Sequence, residues 1–240
     1  ERHGLSHKEV MTLIRKEVRV RAARRDYVAA YDWDDIVATV GHSLGFEGAI
    51  DVAELVRQNC TPEHIHSYPG VHETLARLKE AGHVLVALTN GFAKYQVPVL
   101  EGLGLMQYLS GIYTPEVTGF AKPEAEFFAA ARRDFGFPHV HVGDTVAHDV
   151  WGAKQSGAVT VWLYHNLLEE IAGLPLMERT GHPKLLEVIA EVLARDLTAD
   201  GYPDLTPQDC MPDYVMAEIN DLVEVAQHVQ ESHQRGPAED

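Results

Sequence analysis

Three short polar clusters, each directly after an apolar run, hold residue types suited to one chemistry. The first is Leu88-Thr89-Asn90-Gly91, where a hydroxyl, an amide side chain and a permissive glycine precede an amphipathic segment. Backbone N–H groups at such a turn bind anions, and the Thr89 hydroxyl adds one more donor. The second is Lys122, directly before Pro123. The proline's fixed geometry at a helix start holds the lysine in place, and its cation can balance charge on a phosphate and a carboxylate. The third is HVHVGDTVAHDVWGAKQSG, residues 139–157, with Asp144 at the tip of an apolar run and Asp149 five residues on. That spacing lets the loop fold back so that both carboxylates face one cavity. Hard cations such as Mg²⁺ take oxygen ligands and keep waters, so one or two carboxylates plus a substrate suffice.

Each cluster also has a plainer reading. A Thr-Asn-Gly turn is ordinary strand-to-helix chemistry, a lone lysine is a surface cation, and a helix N-terminus favours an acid such as Asp149 for its dipole. Asp144 is harder to dismiss, because a carboxylate at a buried strand tip needs a partner. His148, inside the same loop, is expected to face a substrate. The chain has 14 histidines, but His64 and His66 have no further ligands at metal-binding spacing, and His139 sits on a strand.

The elements that must position these residues follow from periodicity. Residues 1–67 read as helices, and residues 71–163 alternate apolar runs with amphipathic helices. Ser6 and Glu9 fit a capping box that opens a helix running to about Arg25. Its cations Arg15, Lys16, Arg19, Arg21, Arg24 and Arg25 read as a solvated face. A second helix starts at Trp33, with Ile36, Val37, Val40 and Leu44 on one stripe. A third spans about 49–58. After the break Tyr68-Pro69-Gly70, helices are expected at 71–81, 92–103, 123–135 and 147–157, and strands at 83–89, 111–114, 139–143 and 159–163. This alternation predicts an α/β fold, a Rossmann-like parallel sheet with helices on both faces and a small helical cap. Sites in such sheets lie beyond the C-terminal strand ends, where the three clusters fall. The expected domains are a helical cap over 1–67 and a core over 68–240 with a helical insertion at about 165–211. In that insertion Leu185, Val188, Ile189, Val192 and Leu193 form an apolar stripe, read as packed on the core in preference to a dimer contact. A turn-rich stretch, 200–212, follows. Residues 214–216 read as an edge strand, a last helix covers about 218–230, and the tail from Glu231 is expected to fray.

With 240 residues, 45% of them apolar, the chain can build a sizeable core. A net charge of −16 argues against nucleic acid or an anionic membrane as partner. Cys60 and Cys210 lie in no metal-binding spacing and read as free thiols of a reducing compartment. No run is long enough to span a membrane. A cytoplasmic protein, monomeric or homodimeric, is expected.

Taken together, TNG, a lysine in a Lys-Pro context and GDTxxxD, in that order on alternating units, resemble motifs II, III and IV of the haloacid dehalogenase superfamily. The resemblance extends to LTNGFAKYQVPVLEGLGL and, loosely, to Pro212-Asp213-Tyr214-Val215. It implies a Mg²⁺-dependent phosphatase acting on a small soluble phosphate ester through an aspartyl-phosphate. Thr89, with backbone amides around Asn90 and Gly91, would bind the phosphoryl group, and Lys122 would stabilise charge on nucleophile and phosphate. Asp144 would ligate Mg²⁺, and Asp149 would support the metal shell and orient Lys122.

The superfamily's nucleophile motif, DxDxT after a buried strand, has no convincing counterpart. Tyr31-Asp32-Trp33-Asp34-Asp35-Ile36 comes nearest, but its stripe fits a helix for which Asp32 is the N-cap. The segment 196–200 has the wrong spacing. The sequence opens on Glu1 and not on methionine, and a preceding segment carrying the motif is expected, since the family's first strand is central to its sheet. The alternatives are a non-catalytic binding protein and a 2-haloacid dehalogenase, which would have no use for a metal ligand at Asp144.

Overall fold

The computed structural model describes residues 4–136, 139–196, 202 and 204–234. The first helix, α1 (His7–Ala23), opens as its capping box requires: Glu9 N donates to Ser6 Oγ, and Ser6 N donates to Glu9 Oε2 at 2.8 Å. It is followed by α2 (Tyr27–Ala30), α3 (Trp33–Ser43) and α4 (Val52–Asn59). Asp32 caps α3 by accepting from Asp35 N, and Ile36 and Val40 turn inward from the predicted stripe. One cation leaves the solvated face assigned to it. Arg21 is only 9% exposed. It pairs with Glu17 at 2.9 Å and Asp35 at 2.7 Å and donates to Ala29 O, so it ties α1, α2 and α3 together. With Thr39 Oγ1 at 3.2 Å, four acceptors around one guanidinium make its burial tolerable, which no single-helix pattern reveals.

The alternating region runs α5 (Val71–Glu80), β1 (Val86–Leu88), α6 (Ala93–Gly102), β2 (Gly111–Tyr113), α7 (Pro115–Thr118), α8 (Ala125–Phe135) and β3 (Val140–Gly143). Next come a π-helical segment (Val146–Trp151), α9 (Gly152–Gln155) and β4 (Val159–Leu163). The single helix expected over 147–157 is therefore two pieces, the first widened by a Val150 N to Thr145 O bond. The chain then forms α10 (Glu169–Ala172), α11 (Leu185–Leu193), β5 (Tyr214–Met216) and α12 (Leu222–Gln234). Glu231 to Gln234 continue α12, and the rest of the tail expected to fray lies outside the described residues. The segment 197–200 and part of the turn-rich stretch lie outside the described residues.

All strand pairs are parallel: β1 with β2, and β4 between β3 and β5. The helices and parallel ladders are those of a Rossmann-like α/β fold. They form two ladders and not one sheet, so among the described residues β1 and β3 each keep an unpaired edge. Alternate residues of β4 feed two cores. Trp162 packs with Val146, Val150, Leu185, Ile189 and Val215, whereas Val161 packs with Leu176, Met216, Val225 and Val229. Burial on both faces is what parallel strands require. The stripe of α11 thus covers the core, as its periodicity predicts.

Candidate active site

The loops after β1 and β3 and the turn before α8 converge. Asn90, 6% exposed, grips the backbone of Lys122 from both sides: its Oδ1 accepts from Lys122 N at 2.7 Å, and its Nδ2 donates to Lys122 O at 2.9 Å. Thr89 begins the same turn, its Oγ1 accepting from Gly91 N at 3.1 Å. That acceptor role leaves the hydroxyl hydrogen free to be donated. The Lys122 side chain then reaches Asp149, Nζ to Oδ1 at 2.6 Å.

Asp149 is the hub. Oδ1 also accepts from His141 Nε2 at 2.9 Å, and Oδ2 accepts from Thr145 N at 3.0 Å and Thr145 Oγ1 at 2.6 Å. Two glycines make this possible. A Cβ on Gly143 would stand 2.1 Å from Asp149 Cγ, and one on Gly152 would stand 2.7 Å from Pro123 Cα. The carboxylate therefore folds back over β3, and α9 presses against the Lys-Pro turn. Burial alone would raise the Asp149 pKa, but the Lys122 charge and the His141 and Lys122 hydrogen bonds hold it well below the ordinary carboxylate range. His141, 7% exposed, has its pKa lowered by burial against the pull of Asp149. As a neutral ring it donates its Nε2 proton to Asp149.

Asp144 differs from expectation. Its strand tip is open, and its carboxylate is exposed with no hydrogen bond from the described residues. Only its backbone is anchored, by Trp162 Nε1 donating to Asp144 O at 3.0 Å. Hydration replaces the protein partner that a buried tip would have needed. Asp144 and Asp149 therefore offer different things: one a free, solvated carboxylate, the other two oxygens already holding protein donors. Among the described residues no group of three or more His, Cys, Asp or Glu could hold a metal ion by itself. A Mg²⁺ ion held through Asp144, waters and a substrate oxygen fits this donor set.

The helical region contributes Tyr31, whose hydroxyl lies 3.2 Å from His148 Nδ1. Burial raises the Tyr31 pKa, with the Asn90 hydrogen bond opposing it. His148 is 4% exposed, and its Nε2 has no hydrogen-bond partner among the described residues. Both side chains line a cavity of about 330 Å³ together with Met11, Trp33 and Thr145. Nearby, Lys94 on α6 pairs with Asp34 on α3 at 2.6 Å, so the helix after the Thr89 turn is bonded to the helical region.

The sequence profile of the haloacid dehalogenase-like hydrolases matches residues 2–157. The chain belongs to that family. This haloacid dehalogenase-like hydrolase is 32% identical over 141 residues to a glyceraldehyde 3-phosphate phosphatase of Methanopyrus kandleri, covering 55% of this chain and 60% of the relative. It is 31% identical over 103 residues to a phosphoglycolate phosphatase of Agrobacterium fabrum, covering 42% and 44%. The chain spans about half the length of the curated relatives it matches. A solved phosphatase of the family from Thermococcus onnurineus superposes with a TM-score of 0.56 at 19% identity, covering 91% of both chains. The L-2-haloacid dehalogenase of Xanthobacter autotrophicus gives 0.58 at 19%, covering 91% of this chain and 86% of that one. At such identities these two likenesses speak for the fold alone.

Within this family member, the structure brings Asn90, Lys122 and Asp149 into direct contact and sets Thr89 and Gly91 in the adjoining turn. Sequence reasoning passed over His141, Thr145 and Tyr31. A signal for His141 was present: period-two alternation puts His139, His141 and Gly143 on one face of β3. Tyr31 carried none, since its partner His148 lies 117 residues away.

Proposed function

We propose that the chain is the phosphate-handling part of a Mg²⁺-dependent phosphomonoesterase that acts on a small soluble phosphate ester through an aspartyl-phosphate. The observation that carries this reading is the Lys122 ammonium held 2.6 Å from Asp149, on a backbone clamped by Asn90, beside the Thr89 turn. Phosphoryl transfer needs positioned donors for the equatorial oxygens and a cation for the developing charge. Thr89 and the amides near Asn90 and Gly91 bind the phosphoryl group, and Lys122 offsets charge on phosphate and nucleophile. Asp149 positions Lys122, and Asp144 is the carboxylate available to Mg²⁺, which when bound neutralises phosphate charge. The names of the relatives, among them phosphatases of glyceraldehyde 3-phosphate and of phosphoglycolate, agree with a small ester.

On this reading residues 1–67 form the cap and 68–240 the core, and the protein works in the cytoplasm as a monomer or homodimer without nucleic acid or membrane partners. No helix among the described residues is long and apolar enough to cross a membrane. The attacking aspartate comes from a strand that fills the space between the free edges of β1 and β3. A second reading, a phosphate-binding protein without turnover, is favoured by one observation: Asp32, the nearest counterpart of the nucleophile, is a helix cap. Hydrolysis of p-nitrophenyl phosphate by the full-length gene product, with and without Mg²⁺, separates them. Turnover lost in Asp144→Asn and Lys122→Ala supports the enzyme. Phosphate binding without turnover of any of a range of phosphate esters overturns it.

A further inference from the structure

His148 is a buried side chain with an unused donor. Asn90 fixes which one. Because Asn90 Oδ1 accepts from Lys122 N, its Nδ2 is the atom that points to His148 Nδ1, 3.5 Å away. The Tyr31 hydroxyl stands 3.2 Å from the same Nδ1. Nδ1 thus has donors around it and acts as acceptor, which in a neutral imidazole leaves the proton on Nε2. That Nε2 is buried and has no acceptor among the described residues. A buried unsatisfied donor costs free energy, and it persists where a ligand supplies the missing partner.

The surroundings say what kind of ligand. The ring lines the cavity of about 330 Å³ whose other walls include Met11, Ile14 and Trp33 from the helical region and Thr145 from the loop that holds Asp149. Asp196 and the exposed Arg15 line the same cavity, and Asp196, with Asp149, bears electrostatically on His148. Flanked by those two carboxylates, the Nε2–H suits a neutral oxygen acceptor. We propose that His148 is a specificity-determining residue whose Nε2–H donates to a neutral hydroxyl or carbonyl oxygen on the leaving group of a small phosphate ester. The class is phosphorylated polyols and their aldehydes, as opposed to simple aryl phosphates. The proposal rests on the phosphatase reading above.

Gln and Met match the length of the His148 side chain, and only Gln keeps a donor at its end. With glycerol 3-phosphate and p-nitrophenyl phosphate as substrates of the full-length gene product, the ratio of their kcat/KM values should fall about tenfold in His148→Met, the weight of one hydrogen bond to a buried donor. His148→Gln should restore most of that ratio, which a merely structural loss would not do. An unchanged ratio in His148→Met, or equal ratios in the two variants, overturns the proposal. If the wild type turns over neither substrate, the phosphatase reading fails, and calorimetric binding of glycerol 3-phosphate decides the matter. Weaker binding in His148→Met than in His148→Gln upholds the His148 contact; no binding, or equal affinity in both variants, overturns it.

Discussion

Asn90 and Lys122, 32 residues apart, form a reciprocal clamp in which the amide oxygen accepts from the lysine's backbone N–H and the amide nitrogen donates to its carbonyl. The turn after β1 thereby fixes the residue that starts the approach to α8. The Lys122 side chain leaves that clamp for Asp149, so one asparagine sets the position of the site's partly buried cation.

Removing the clamp should be costly. Asn90→Ala deletes two hydrogen bonds and strands the Lys122 N–H and C=O, a loss of about 2 kcal/mol. Asn90→Asp should not recover it, because a carboxylate would face the Lys122 carbonyl. Urea unfolding measures both, and an unshifted midpoint in Asn90→Ala would show that water replaces the clamp.

Lys122→Met leaves the Asp149 charge, 3% exposed, without its ion pair. Breaking a buried pair from one side costs on the order of 3 kcal/mol. Adding Asp149→Asn to Lys122→Met should return more than half of that loss. A double variant no more stable than the single one would show that lost packing, not the orphaned charge, is responsible.

Gly143→Ala places a methyl group where Asp149 Cγ now lies, 2.1 Å from the new Cβ. Overpacking of this kind costs about 1–3 kcal/mol. The carboxylate must swing away, so Lys122 loses its partner as well. A crystal structure of the variant with the Lys122–Asp149 contact intact would refute this account.

Acid should destabilise the fold in two stages. Burial, and to a smaller extent the electrostatic influence of the nearby His141 and Arg132, push His139 from 6.5 down to about 4. Between those values the unfolded chain holds the proton and the folded chain does not, so stability falls as pH drops through that window. Asp149 has a depressed pKa. Its contribution is present above the unfolded value of 3.8 and is lost as pH falls through its still lower folded value. Melting temperatures of His139→Leu should decline less than those of the wild type from pH 6.5 to 4. Parallel declines would rule out His139 as the source of the first stage.

Much of the fold was legible because its signals are local. Ser6 with Glu9, Asp32 before Trp33, and the stripe from Leu185 to Leu193 announce helices through spacings of three and four residues. The loop carrying Asp144 and Asp149 was legible for the same reason. The burial of Arg21 and the openness of Asp144 were not, because each depends on which distant segments come alongside.

By itself the sequence determined the order of the elements and the identity of the side chains that meet at the strand ends: Thr89, Asn90, Lys122, Asp144 and Asp149. Only the tertiary structure decided how they divide the work. It filled both oxygens of Asp149 with four protein donors and left Asp144 to solvent. It also brought Tyr31 to His148 and, among the described residues, left one imidazole nitrogen without a partner. Residue type fixes what a group can donate or accept, but burial and long-range contacts decide which of those capacities are spent within the protein and which remain for a ligand.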